Sequence, residues 1–198
     1  MKLIGITGGV GAGKTAILAY LEQNCSCRIE LADEAAHKVK EPGGSCYGRL
    51  IELLGTGILN TDGTIHKGRM AEAIFSDSEK LAAVNALIHP AVKEYLLREI
   101  EKERRKARVD YFFIEAALLI EEGYEKIVDE LWYIYTREDI REKRLREGRG
   151  YSAQKVRSIM AGQLSDTQFR EHCAFVIDNN RSLEDTYRQI DRKLREGK

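Results

Sequence analysis

The residues best suited to chemistry lie in the stretch GITGGVGAGKTA, residues 5–16. Residues 8–15 match the pattern G-x-x-x-x-G-K-[ST], in which glycines let the backbone curl so that its N–H groups point at phosphate oxygens. A helix that begins near Gly13 adds its positive end to this loop. In the pattern, Lys14 supplies a charge to the β and γ phosphates, and the Thr15 hydroxyl binds Mg²⁺. The stretch therefore predicts a site for a nucleoside triphosphate with Mg²⁺.

Other interpretations of the same glycines fit less well. The dinucleotide pattern G-x-G-x-x-G fails on spacing, because its third glycine would have to stand at the position of Lys14. A glycine-rich tight turn with an exposed lysine is the remaining alternative. An apolar run before the loop and a helical pattern after it favour the phosphate loop over that turn.

The presence of a phosphate loop does not by itself distinguish kinases from GTPases or from ATP-driven machines. A GTPase should carry Asn-Lys-x-Asp to read guanine, and the nearest stretch, IDNN at residues 177–180, lacks the lysine. A machine ATPase usually has an apolar strand that ends in Asp, whereas Glu115 lies inside the predicted strand FFIEAALLI. A small-molecule kinase fits better, since it needs the loop, a proton acceptor, a substrate subdomain and a cationic lid.

Asp33 is the candidate proton acceptor. It follows the second predicted strand, at the carboxyl edge where open α/β sheets bind ligands. The same placement suits the N-cap of the next helix, and position alone favours neither role. His89, next to Pro90, is most simply a histidine at the start of a helix.

Arginines crowd the segment that would form the lid. They are Arg137, Arg141, Arg144, Arg146 and Arg149. The first three are spaced for one helix face. A solvated helix surface nevertheless accounts for most of the five, because lid helices lie at the surface.

Strand and helix patterns alternate along the chain. Strands are predicted at 2–7, 28–33, 111–120, 130–136 and 174–178. The main helices are predicted at 14–23, 47–55, 89–108 and 182–194. Five strands separated by helices predict a parallel α/β sheet.

Two segments are too long or too polar to be simple crossovers. The all-helical stretch 35–108 between strands two and three is predicted to be an inserted acceptor-binding subdomain, and 137–165 a smaller helical lid. The predicted fold class is α/β: a single domain, residues 1–198, with the three-layer P-loop NTPase-type fold and a five-stranded parallel sheet.

Composition and charge indicate which partners and which cellular location to expect. Lys plus Arg and Asp plus Glu are both 32, and zero net charge argues against a general nucleic-acid binder. No apolar run is long enough to span a membrane and no signal peptide is recognisable, so a cytoplasmic location is expected. A monomer or small homo-oligomer is expected. The cysteines form no Cys-x-x-Cys pair and are expected to be reduced structural thiols: Cys25, Cys27, Cys46 and Cys173.

Six ordered segments resemble the dephospho-CoA kinase family over nearly the whole chain. They are ITGGVGAGKTA, LADEAAHKVKEPGG, DGTIHKGRMAEAIF with LIHPAV, AALLIEEG, KRLREGRGYSAQKVRSIMAGQLS and AFVIDNN. The loop alone is shared with many kinases, whereas the ordered set is specific.

The resemblance implies transfer of the γ-phosphoryl group of ATP to the 3′-hydroxyl of the dephospho-CoA ribose, with Mg²⁺ as cofactor. Asp33 would accept the proton or orient the hydroxyl, while Lys14 and Arg144 would neutralise charge on the transferring group. ATP would be bound by Gly9, Val10, Gly11, Ala12, Gly13, Lys14, Thr15 and Ala16. The acceptor would be bound by Asp33, His89, Pro90 and Leu118.

Four residues depart from the family pattern: Ala16, Leu31, Ala117 and Gly148. Ala16 stands where a second hydroxyl is usual, which removes a possible α-phosphate contact. Gly148 takes the place of the second lid arginine, with Arg149 adjacent. A nucleotide-binding regulatory protein without chemistry is the competing hypothesis, and the retained Lys14 and Asp33 favour the enzyme.

Overall fold

The computed structural model describes residues 1–75 and 77–196. Its strands are β1 (Lys2–Thr7), β2 (Cys27–Leu31), β3 (Tyr111–Glu115), β4 (Glu130–Tyr135) and β5 (Phe175–Asp178). Its α-helices are α1 (Lys14–Asn24), α2 (Ala32–Lys38), α3 (Tyr47–Leu54), α4 (Lys67–Phe75), α5 (Ser78–Lys106), α6 (Glu138–Arg149), α7 (Ala153–Ala161), α8 (Asp166–His172) and α9 (Leu183–Glu196). Short 3-10 helices lie at Thr56–Ile58 and Tyr124–Lys126.

The five strands form one sheet in the order β2-β3-β1-β4-β5, which confirms the predicted five-stranded parallel α/β fold. β1 is central and pairs in parallel with β3 and β4, so that Ile4 lies between Phe113 and Glu130. The order places the carboxyl ends of β1, β3 and β4 side by side. Residues that follow these three strands therefore share one edge of the sheet.

The sheet is buried on both faces at its centre. Ile4 and Ile6 of β1 and Phe112 of β3 are fully buried, as expected for parallel strands that helices cover on two sides. Trp132 of β4 packs edge-on against Phe175, with ring centroids 5.2 Å apart. This rigid layer supports the loop that follows β1.

The predicted strand at 111–120 is too long. β3 ends at Glu115, and the chain then turns, with the N–H of Tyr124 donating to the Leu119 carbonyl at 2.9 Å. Leu119 and Ile120 are buried although they lie outside the strand. An apolar run predicts burial reliably but cannot separate a buried strand from a buried turn.

The helix predicted to start near Pro90 begins twelve residues earlier. α5 runs from Ser78 to Lys106 with Pro90 inside it. Asp77 accepts N–H bonds from Glu79 and Lys80 at 3.1 and 3.0 Å, which satisfies the donors of the first turn. Because the turns on both sides continue the helix, the single bond that Pro90 removes does not end it. His89 is therefore a mid-helix residue.

The chain forms two compact units. The first comprises Met1–Ile29 and the described residues from Ala107 onwards, and the second is Glu30–Lys106. The second unit contains α2 to α5 and one isolated antiparallel bridge between Leu59 and Ile65. The segment predicted as a lid folds into α6 and α7 within the first unit.

Candidate active site

The phosphate loop, residues 8–15, connects β1 to α1 and adopts a conformation that needs glycine. Gly11 and Gly13 have φ angles of 84° and 95°, which L side chains rarely adopt. A Cβ atom on Gly13 would lie only 2.4 Å from Nδ2 of Asn179. Gly13 is also the N-cap of α1, so the positive end of that helix faces the loop. The loop therefore has the local geometry that its sequence predicts.

Lys14 is held at the loop by two acceptors. Its ammonium donates to the Gly8 carbonyl at 2.7 Å and lies 3.5 Å from the Glu115 carboxylate. Glu115 is the last residue of β3, directly beside Ile6 of β1. The sequence interpretation placed Glu115 inside a longer strand, and the early end of β3 instead puts its carboxylate at the sheet edge beside Lys14.

The Ala12 carbonyl anchors the loop to the rest of the first unit. It accepts bonds from Asn179 Nδ2 at 2.7 Å, Thr136 Oγ1 at 3.0 Å and Arg144 Nη1 at 3.3 Å. The other Arg144 nitrogen, Nη2, donates to the Asn179 carbonyl at 3.1 Å. Asn179, only 1% exposed, also accepts from the Thr186 hydroxyl. The lid arginine predicted from sequence thus lies against the loop.

Asn179 is a site residue that sequence reasoning missed. The stretch IDNN resembles part of a guanine-binding motif and is included in the last family segment, and neither interpretation assigns Asn179 a contact with the loop. The available signal was its position directly after the last strand, at the same sheet edge as the loop.

The solvated surface that accounts for most of the five arginines does not include Arg141. Only 8% of Arg141 is exposed. Its Nε donates to the Val10 carbonyl at 2.9 Å, and its Nη2 donates to Gln163 Oε1. The same Gln163 oxygen accepts the Val10 N–H at 3.3 Å. A Cβ on Gly9 would collide with the Arg141 guanidinium, so that glycine makes room for the arginine.

The charge of Arg141 has no carboxylate partner within salt-bridge distance among the described residues, and the same is true of Arg144. Burial lowers the pKa of the Arg141 guanidinium, and Tyr133 and Glu138 act in the opposite direction. A buried cation without a counter-ion is costly unless a ligand supplies the negative charge.

We expect Arg141→Met to raise the KM for ATP by about tenfold, because the Val10 carbonyl and Gln163 lose a charged donor worth about 1.5–3 kcal/mol. Steady-state kinetics with ATP as the varied substrate measures the effect. Arg146→Met on the same helix, whose partner Glu142 is 3.5 Å away at the surface, should change KM less than about twofold. An unchanged KM in Arg141→Met would show that the arginine serves only the packing of α6.

Asp33 lies in the first turn of α2, within the second unit. The N-cap of α2 is Leu31, so the N-cap interpretation of Asp33 is wrong. The exposed Asp33 side chain lines a cavity of about 450 Å³ in that unit. Its role as proton acceptor stays a prediction.

The other predicted acceptor residues are not among the described residues that line this cavity. His89 is half-buried and Pro90 is exposed on α5, and neither is among the described residues that line the cavity. Leu118 belongs to the first unit, in the turn after β3, and is 46% exposed. Acceptor binding by these three residues stays a prediction.

Within the described ranges, 1–75 and 77–196, the structure contains no cluster of three or more His, Cys, Asp or Glu side chains that could hold a metal. Cys25, Cys27, Cys46 and Cys173 form no disulfide in the described part of the chain, which agrees with the thiol prediction. No described helix is both long and apolar enough to cross a membrane.

The central first strand of this parallel sheet is followed by the motif G-x-x-x-x-G-K-[ST], and an arginine of a later helix lies against that loop. This combination defines the chain as a P-loop kinase. The sequence profile of one family, described as dephospho-CoA kinase (CoaE), matches residues 2–185. The chain belongs to the dephospho-CoA kinase family.

A relative with a similar sequence agrees with this assignment, and two solved structures share the fold. A dephospho-CoA kinase from Streptococcus mutans is 34% identical over 194 residues, which is 98% of this chain and 96% of the relative. A crystal structure of a Thermus thermophilus protein superposes with a TM-score of 0.81 at 27% identity, covering 98% of this chain and 97% of that one. Dephospho-CoA kinase from Campylobacter jejuni shares the fold, with a TM-score of 0.74 at 19% identity over 99% and 97% of the two chains.

Proposed function

We propose that this chain transfers the γ-phosphoryl group of ATP to the 3′-hydroxyl of the dephospho-CoA ribose. The hydroxyl oxygen forms a bond to the γ-phosphorus, the bond to the β–γ bridging oxygen breaks, and ADP leaves. The observation that carries the proposal is the phosphate loop, with the Lys14 ammonium held at the Gly8 carbonyl and Arg144 against Ala12. Family membership supplies the identity of the acceptor.

The cationic side chains of the first unit would supply most of the stabilisation of the transition state for phosphoryl transfer. A phosphoryl transition state spreads charge over the γ-phosphate oxygens and needs little covalent chemistry from the protein. Lys14 would leave the Gly8 carbonyl and Glu115 for the β and γ phosphates when ATP binds. Arg144 would turn a nitrogen from Ala12 or Asn179 towards the same oxygens, adding a second fixed charge.

Asp33 is proposed to receive the proton of the 3′-hydroxyl, or to orient that hydroxyl for attack. A carboxylate is the group that kinases use for this purpose. The exposed position of Asp33 on the cavity wall leaves both carboxylate oxygens available to a bound acceptor.

The first unit suits a magnesium ion that arrives with the nucleotide. Mg²⁺ is usually held by one or two protein oxygens together with substrate phosphates and water, not by an all-protein cage. The exposed Thr15 hydroxyl and the Glu115 carboxylate beside Lys14 are oxygen donors of that kind. When bound, Mg²⁺ would neutralise charge on the β and γ phosphates.

An acceptor-specificity assay tests the proposal. ADP release, followed with a coupled assay, should depend on dephospho-CoA and should not occur with nucleosides or nucleoside monophosphates as acceptors. Turnover with those acceptors alone would replace the proposal with a different kinase. Tight ATP binding without transfer to any acceptor would favour the non-enzymatic alternative.

A substitution at Ala16 tests how the protein binds the α-phosphate of ATP. We expect Ala16→Ser to lower the KM for ATP by about threefold to tenfold, because a hydroxyl at this position adds one hydrogen bond on the α-phosphate side. Kinetics with ATP varied at saturating acceptor measures it, and Ala19→Ser, on the exposed side of the same helix, is the control. A KM that does not fall would show that the α-phosphate lies away from residue 16.

ATP and dephospho-CoA are accordingly the proposed substrates. A cytoplasmic location and a monomer or small homo-oligomer remain predictions from sequence. Size-exclusion chromatography with light scattering would measure the oligomeric state directly.

A further inference from the structure

The cavity beside Asp33 has a mixed lining that fits a particular kind of ligand. Its walls come from α2 and the residues just after it, from α4, and from two residues that precede α4. The ionisable lining residues are Asp33, His37, Lys40, Glu41 and Lys67. The others are Ala36, Thr64, Ile65, Met70, Ala71 and Ile74.

Two lysines give this cavity its cationic side. Lys40 is half-buried, and Lys67 is exposed at the start of α4. Neither ammonium makes a salt bridge with a carboxylate in the described parts of the chain, although Asp33 and Glu41 line the same cavity. The two cations therefore remain available to an anion from outside.

The two ammonium groups also influence each other. Burial and the charge of Lys67 lower the pKa of Lys40, while the Asp33 carboxylate raises it. Two like charges that repel across a partly enclosed space are relieved by an anion that contacts both. A group with two linked anionic centres matches this arrangement better than a single carboxylate.

Part of the cavity lining is apolar. Ile65, Met70 and Ile74 form this apolar wall, and Met70 is buried. Such a surface holds an uncharged chain by removing its carbon atoms from water. The cavity thus offers a cationic site, an apolar wall and a carboxylate, Asp33, within one unit.

We infer that Lys40 and Lys67 bind the diphosphate of the acceptor, and that the apolar wall of Ile65, Met70 and Ile74 receives its uncharged arm. The inference rests on the proposed function for the identity of the acceptor. It makes the lysine pair a determinant of specificity, because acceptors without a diphosphate would leave two ammonium groups unneutralised.

The test compares Lys40→Met and Lys67→Met with the parent protein. Methionine keeps the length of the side chain and removes the charge, so the cavity wall is retained. Each variant should raise the KM for dephospho-CoA by about tenfold and leave the KM for ATP within twofold. Lys67→Arg, which keeps the charge, should restore the KM for dephospho-CoA to within about threefold. Lys80→Met, whose partner is the surface residue Asp77, is the matched control.

A binding experiment separates this inference from the proposed function. Calorimetry with inorganic pyrophosphate, in protein whose phosphate loop is saturated with Mg²⁺ and a non-hydrolysable ATP analogue, reports on the lysine pair without turnover. Pyrophosphate that binds the parent but not the two Met variants supports the pair, even if dephospho-CoA is not phosphorylated. Normal turnover of dephospho-CoA with unchanged KM in both variants would overturn the inference and leave the proposed function intact.

Discussion

Lys14→Ala is expected to lower kcat/KM for ATP by about 10³-fold. Removing one preorganised charge or donor from a transition state typically costs about 10²–10³-fold, and Lys14 would contact both ground-state and transition-state phosphates. Both KM and kcat should therefore deteriorate. Steady-state kinetics with ATP varied at saturating dephospho-CoA measures the two contributions.

The interpretation of Lys14→Ala depends on an intact fold. The substitution also takes the ammonium away from the Gly8 carbonyl and Glu115, so thermal unfolding should be recorded for the same preparation. Lys126→Ala, an exposed lysine of the first unit, should leave both kinetic constants within twofold. A folded Lys14→Ala protein that keeps kcat/KM within tenfold would exclude the phosphate-loop mechanism.

Asp33→Asn should lower kcat by about 10²–10⁴-fold and change the KM for ATP by less than about threefold. The amide is nearly the same size as the carboxylate but cannot accept the hydroxyl proton, so the loss falls on the chemical step. Loss of the acidic group from the first turn of α2 should cost only about 0.3–1 kcal/mol of stability. Single-turnover kinetics distinguishes slow chemistry from slow product release.

Glu34→Gln supplies the control for Asp33. Glu34 is also exposed in the first turn of α2 but does not line the cavity, so its amide variant removes a charge from the same turn without touching the proposed acceptor site. A nearly normal kcat in Asp33→Asn would reduce Asp33 to a residue that stabilises the helix. Equal losses in the two variants would point to helix stability as the cause.

Local sequence patterns were sufficient to predict much of the structure of the first unit. The five strands, the loop at residues 8–15 and the helix that begins at Lys14 follow from short-range chemistry: apolar runs, glycine conformations and helix periodicity. The bond from the Asp185 N–H to the Ser182 hydroxyl, 3.1 Å long, likewise joins residues only three positions apart.

The ends of the helices and strands were less predictable from local sequence, because they depend on how neighbouring segments of the chain hydrogen-bond and pack. The apolar run after Glu115 continues without a break in the sequence, yet the chain turns there and buries Leu119 outside the strand. Pro90 is a strong local signal for a helix start, but the flanking turns of α5 outweigh it. In both cases hydrogen bonds and burial over a longer segment decided the outcome.

By itself, the sequence determined the class of fold, the phosphate loop with Lys14 and the resemblance to the dephospho-CoA kinase family, since each rests on residues adjacent or regularly spaced along the chain. Only the tertiary structure decided what distant residues do. It buried Arg141 between Val10 and Gln163, and it brought Asn179 to the Ala12 carbonyl, 167 positions away. Such contacts depend on which helix face packs against which loop, and one-dimensional spacing does not contain that information.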